Sequence, residues 1–308
     1  MFKKGQNYRI FINGAVVAEE TTCTVTKGVE TEDAQNKDLA PDSSSGQIGG
    51  AQPVAMYKNM TFQVEAQGAG AKALFTRALA LMNYNGGSVG YAETSGSSTA
   101  GEHNRTATSV TYVKAICNDL VINTPNRQPI TCTAQFTVIP GTASGSGDSA
   151  ASATIPTLRG EFLRLFLVDG STNTPIAAAT NCSLHLSLSM EDATTKDTTS
   201  TATVGYKSQE PTQVNYDLSS DCLYDGGGLA DLIEGNQYTW KLAAASGAGQ
   251  QAIDDNDVLA SGTAMLTNHI TNAPVGQNIT YNASFTGIGI IDQLVPSNNS
   301  NQGTPGEE

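Results

Sequence analysis

The strongest constraint on this chain is that it repeats itself. Residues 22–38 read TCTVTKGVETEDAQNKD and residues 181–197 read NCSLHLSLSMEDATTKD. They align without gaps at an offset of 159 and share six identities: Cys23/Cys182, Glu32/Glu191, Asp33/Asp192, Ala34/Ala193, Lys37/Lys196 and Asp38/Asp197. Upstream, Arg9-Ile10-Phe11-Ile12 matches Arg164-Leu165-Phe166-Leu167, and a turn follows each, Asn13-Gly14 and Asp169-Gly170. Downstream, residues 123–137 (NTPNRQPITCTAQFT) and 272–286 (NAPVGQNITYNASFT) agree at eight of fifteen positions, at an offset of 149. Three matches in one order point to a tandem duplication, and a repeat decides the architecture before any single element does. The length of 308 residues suits two domains of ordinary size. They are expected at 1–140 and 159–290, with a Gly/Ser/Ala-rich linker over 141–158 and a flexible C-terminal tail over 291–308.

Each copy reads as many strands and one short helix. Tyr8–Ile12 and Phe162–Val168 open the copies, and the turn residues after them suit hairpins. The return strands are expected at Thr22–Val29 and Cys182–Leu188, where Leu184, Leu186 and Leu188 alternate with polar residues as on a half-buried strand. Further alternating strands are expected at Met60–Ala66 and Thr212–Leu218, and closing hairpins at about 113–139 and 261–288. Ala71–Asn83 has good helix formers with an apolar stripe at Leu74, Ala78 and Leu81. Its counterpart is placed at Leu229–Glu234, stopped by Gly235. The fold class is mainly β: two tandem copies of a β-sandwich or partly closed barrel, each with one flanking short helix.

Charge narrows the function. The net charge is −13, which argues against a binder of nucleic-acid phosphates, since such proteins need clustered Lys and Arg. Residues 1–150 hold 11 Lys/Arg against 12 Asp/Glu, whereas residues 151–308 hold 5 against 17, so the halves differ in electrostatics. The first residues lack the apolar run of a signal peptide, and no stretch reaches the roughly 18 apolar residues of a membrane-spanning helix. The chain is therefore expected to be made in the cytosol. Five cysteines, Cys23, Cys117, Cys132, Cys182 and Cys222, without CxxC spacing read as small buried hydrophobes rather than disulfides or zinc ligands.

Catalytic patterns are hard to find. His103, His185 and His269 have no metal-ligand spacing, and His185 reads as a solvent-facing strand residue. There is no GxSxG elbow and no phosphate loop. Gly68–Lys72 at a helix start lacks the rest of an anion cradle. Asp254-Asp255-Asn256-Asp257 lacks the glycine and distal glutamate of a calcium loop and reads as a solvated turn. The duplicated Glu-Asp-Ala-x-x-Lys-Asp segment is the most distinctive polar feature. Without a nucleophile or His beside it in both copies, it reads as a polar turn or inter-subunit ion pair formed by Glu32, Asp33, Lys37, Asp38, Glu191, Asp192, Lys196 and Asp197. No cofactor or metal is expected, and no enzymatic activity.

These segments resemble the major tail tube proteins of long-tailed bacteriophages. The shared pattern is a strand pair, a turn, a second strand, then an acidic residue and, after a short gap, Lys-Asp; here it occurs at Glu32–Asp38 and again at Glu191–Asp197. The chain departs from that family's common form in carrying two copies and in lacking the usual Trp of the third strand. The resemblance implies a structural subunit of the virion tail, assembled in the host cytoplasm into stacked rings through which genome DNA passes without specific binding. Members form six-membered rings, so a two-domain chain implies a trimer with pseudo-sixfold symmetry. Partners implied are the chain itself and the tail terminator, tape measure and distal tail proteins, with no membrane binding. The loop containing Asp42, Ser43, Ser44, Ser45, Gly46 and Gln47 is then a candidate inter-ring contact. Two other readings remain: a secreted or surface adhesin or pilin with tandem Ig-like domains, and a carbohydrate-active module. The first lacks a secretion signal; the second lacks aromatic platforms, with Trp240 alone.

Overall fold

The computed structural model describes residues 8–33, 53–95, 106–107, 109–145, 159–170, 172–176, 179–194, 205–223, 232–246 and 252–294. The first half runs β1 (Tyr8–Ile12), β2 (Ala15–Val16), β3 (Glu20–Asp33), β4 (Pro53–Gln67), α1 (Gly68–Leu79), β5 (Gly87–Ser95), β6 (Thr106–Ala107), β7 (Thr111–Asn123) and β8 (Thr131–Val138). The second runs β9 (Leu163–Asp169), β10 (Thr172–Pro175), β11 (Ala179–Asp192), β12 (Gln209–Leu223), β13 (Gln237–Ser246), β14 (Ala252–Asn272) and β15 (Thr280–Ile288). Asn13 and Gly14 both adopt positive φ, 49° and 81°, which the tight hairpin between β1 and β2 requires.

Both halves share one strand order. The first is β2-β1-β5-β7-β8-β4-β3 and the second β10-β9-β13-β14-β15-β12-β11, with antiparallel ladders throughout. The match extends to individual pairs. Val25 faces Phe62 where Leu184 faces Leu218, and Phe62 faces Phe136 where Leu218 faces Phe285. Even the bulge between Glu20 and Thr22 recurs between Ala179 and Asn181. The fold is mainly β as expected: the strands form a single 15-stranded sheet that does not close into a barrel. Within each half the sheet curls, because one face is apolar and must bury itself. The Cys23 thiol of β3 approaches the Tyr8 carbonyl of β1 at 3.7 Å, and the Val17 N–H donates to the Ile10 carbonyl at 2.9 Å.

The cores explain why the repeat fades between its anchors. In the first half Phe62 of β4 meets Tyr91 of β5 across the core, ring centroids 5.8 Å apart. In the second half the aromatic pair is Tyr216 and Trp240, 5.7 Å apart. By strand register Tyr216 matches Met60 and Trp240 matches Val89, so the pair has slid two residues along both strands, which keeps it on the same face. The extra volume is offset opposite. Gly287 stands where the first half has Val138, and a Cβ there would lie 2.5 Å from the Tyr216 ring. Gly262 stands where the first half has Val113, 3.5 Å from Trp240 by the same measure. Close packing tolerates exchanges that conserve total volume.

The helix α1 buries Ala71, Leu74, Phe75, Ala78 and Leu79 against β4, β7 and β8. Its start is occupied by protein groups: the Gly68 N–H donates to the Ile130 carbonyl at 2.7 Å and the Gly70 N–H to the Glu19 carboxylate at 3.1 Å. The helix expected at Leu229–Glu234 is not seen in its described part. Leu232–Glu234 lead into a turn ended by Gly235 at φ 83°, and 229–231 lie outside the described residues. Asp254–Asp257, expected as a turn, lie within β14. Ile291, assigned to the tail, is fully buried, and Ser261 Oγ lies 2.6 Å from Asp292 Oδ2. Most of the linker, 146–158, lies outside the described residues, while Gly145 rests against the Tyr112 ring.

Volume compensation is directly testable. Gly287→Val alone should destabilise the protein by about 1–3 kcal/mol through overpacking against Tyr216. Adding Tyr216→Met, which restores the first half's pairing of side chains, should recover most of the loss in a denaturant-unfolding double-mutant cycle.

Candidate functional site: an assembly interface

The halves meet along a ladder. Strand β11 of the second half pairs antiparallel with β7 of the first, from Ser183↔Asn123 through Leu184↔Ile122, His185↔Val121 and Leu186↔Leu120 to Ser187↔Asp119. Leu120, Ile122, Leu184 and Leu186 are fully buried, so the two cores are continuous across the seam. Beyond the ladder, the turn after β7 is clasped by the second half. The Thr124 N–H and hydroxyl both donate to the Cys182 carbonyl, at 2.8 and 3.1 Å. The Asn126 N–H donates to Thr180 at 2.8 Å, and the Gly160 N–H donates to Gln128 at 2.8 Å. A Cβ at Gly160 would lie 2.2 Å from the Pro125 carbonyl oxygen, so only glycine fits there.

Polar side chains bridge the same seam. His185 faces solvent as expected, its side chain 43% exposed, and its Nε2 also lies 3.0 Å from Asp119 Oδ2 of the other half. Lys207 Nζ lies 3.2 Å from Asp192 Oδ2 and 3.8 Å from Glu30 Oε1, tying β3 to the tip of β11. Hydrogen bonds from Thr194, and then Lys207, hold the Asp192 carboxyl below its ordinary range. The backbone reinforces this contact: the Lys58 N–H donates to the Gly205 carbonyl at 2.8 Å, and the Tyr206 hydroxyl approaches Met60 Sδ at 3.7 Å.

Glu32 and Asp33 end β3 opposite Val54 and Pro53, and Glu191 and Asp192 end β11 opposite Glu210 and Gln209. These four are therefore exposed strand residues rather than turn residues; the strands run further than the sequence suggested because each is paired to its tip. Asp192 makes a cross-element ion pair with Lys207. Lys37, Asp38, Lys196 and Asp197 lie outside the described residues, as does the whole of Asp42, Ser43, Ser44, Ser45, Gly46 and Gln47. The seam residues His185, Asp119, Lys207 and Gly160 were not singled out as a group by sequence. Their signal lies in the register between halves, which only the fold supplies.

Among the described residues, no group of three or more His, Cys, Asp or Glu could hold a metal, and no helix is long and apolar enough to cross a membrane. Cys117, Cys132, Cys182 and Cys222 are buried and Cys23 is half-buried, none of these five in a disulfide. No family model matches the chain, and no curated protein matches it significantly. Among solved structures, it is similar to a chain of "Tail of empty GTA particle computed with helical refinement, C6 symmetry". That likeness covers 44% of this chain and 97% of the other, at a TM-score of 0.34 and 13% identity.

Burial pushes the Cys182 thiol above its ordinary value of 9.0, against hydrogen bonds from neighbours that pull it down. The stabilisation tied to that raised value is present below the unfolded value and is lost as pH rises past about 9. At pH 8 Cys182 should therefore label slowly with a thiol reagent in the native protein. Gly160→Val, which forces the seam apart, should raise its labelling rate at least about tenfold, measured by mass spectrometry under native conditions.

Proposed function

We propose that the chain is a structural subunit of a phage-type tail tube, not an enzyme. One observation carries this reading. Two like-folded halves join side by side in the same sense, the β3-equivalent strand of one on the β7 strand of the other. Such a head-to-tail contact uses two different surfaces of one fold, so it repeats, and it gives a closed ring where the rotation per unit completes a circle. Three chains with two domains each would supply six similar positions. The domains would be 1–140 and 159–290, and the rings would stack through loops such as that at 42–47.

The charge pattern supports a conduit for DNA. With 16 Lys/Arg against 29 Asp/Glu, the chain has little to grip phosphates with, and a neutral or acidic wall lets a polyanion slide. The resemblance of Glu32–Asp38 and Glu191–Asp197 to tail tube proteins supports the same reading, and with it assembly in the host cytoplasm and residence in the virion tail. Terminator, tape measure and distal tail proteins would be its partners.

Negative-stain microscopy of the purified protein tests this. Hollow rings or tubes whose mass fits three chains per ring are expected. A particle that stays strictly monomeric at high concentration, even when seeded with preformed tail tips, would sink the proposal.

A further inference from the structure

The seam inside the chain has two counterpart edges that carry no ladder among the described residues. Strand β11 uses its outer edge on β7, but the matching edge of β3 has no ladder partner among the described residues. Likewise β7 presents Asp119–Asn123 to β11, while among the described residues the matching segment of β14, Asn268–Asn272, is paired only to β15. The side chains record the difference. Leu188 is 7% exposed, and its match Val29 is 51% exposed. Leu120, Ile122 and Thr124 are buried, whereas their matches are half-buried (His269) or exposed (Thr271 and Ala273).

We infer that these two edges bind each other between chains, with a second copy of this chain as the partner and with the register of the internal seam. Transferring that register places Thr24 opposite Asn272, Val25 opposite Thr271, Thr26 opposite Ile270, Lys27 opposite His269 and Gly28 opposite Asn268. The inference deepens the ring reading above and rests on it.

Three observations commit the edges to this occupant. First, the bulge beside β11's seam segment is present at the same place in β3, so the two edges offer their N–H and C=O groups in the same pattern. Second, the turn clasped inside the chain is retained where it has no described internal clasp. Asn272, Pro274 and Gln277 repeat Asn123, Pro125 and Gln128, and Gly276 at φ 76° repeats the left-handed Arg127 at φ 60°. On the opposing strand Cys23 repeats Cys182, whose carbonyl accepts the clasp. In the sequence, Gly5 stands at the same offset from Gly160 as Arg9 from Arg164. Third, the charges change together: the His185–Asp119 contact of the internal seam is matched by Thr26 and Asn268, and a cation enters at the next position. Lys27 replaces the buried Leu186, and its prospective opposite His269 lies 2.7 Å from the Glu234 carboxylate, giving the ammonium an acidic neighbour. An edge left open would instead be an aggregation template, which proteins rarely leave long and apolar.

Paired cysteines test the register. Thr26→Cys with Ile270→Cys, oxidised under assembly conditions, should give covalent dimers and trimers on a non-reducing gel. Thr26→Cys with Thr271→Cys should cross-link at least tenfold less, because a slip of one residue turns the side chain to the other face. His185→Cys with Val121→Cys, matched inside the chain, should cross-link within the monomer and verify both fold and chemistry. Ile270→Asp, at an exposed position, should leave the melting temperature unchanged and weaken assembly at least tenfold. Rings seen by microscopy without the Thr26–Ile270 cross-link would overturn this interface and leave the tube reading standing. Monomers alone, with the internal cross-link intact, would overturn both.

Discussion

The structure depends on the backbone ladder between β7 and β11. A sheet edge is a row of unpaired donors and acceptors, and the duplicated fold has such an edge on each copy. Joining the copies side by side satisfies one pair of edges and merges the cores through Leu120, Ile122, Leu184 and Leu186. What would be two small domains becomes one sheet of 15 strands. The side-chain bridges His185–Asp119 and Glu30–Lys207–Asp192 sit at the surface of that seam, where ion pairs contribute little, and they serve mainly to fix register.

Around that ladder the copies have been free to diverge in side chains but not in geometry. The aromatic pair moved from Phe62/Tyr91 to Tyr216/Trp240, and Gly287 and Gly262 made room for it. The close packing of a protein interior permits such coupled exchange and resists either half of it alone. The external loops and the charge were under no such restraint, so the second half could become strongly acidic while its strand order stayed fixed.

Much of the fold was legible because strands carry short-range signals. The alternation of Leu184, Leu186 and Leu188 marked β11, and Asn13-Gly14 marked the first turn, but the strand returning from it is β2 rather than Thr22–Val29, which pairs with β4. The strands β5 and β13 escaped, since Gly87–Ser95 and Gln237–Ser246 are too small or mixed in character to alternate clearly. The tips of β3 and β11 read as turns because Glu-Asp is polar, yet pairing with β4 and β12 keeps them extended. His185 read correctly as solvent-facing, but nothing local to it identifies its partner Asp119, 66 residues away.

The sequence by itself determined the duplication, the mainly β class and the polarity of the chain, because repeats, alternation and composition are properties of neighbouring residues. Only the tertiary structure decided that the copies share a continuous sheet, which strand edge each one spends on the other, and which edges remain. Those facts rest on pairing between residues far apart in the chain, such as Ser183 with Asn123, and ladder partners are chosen by backbone geometry and core continuity rather than by any local pattern.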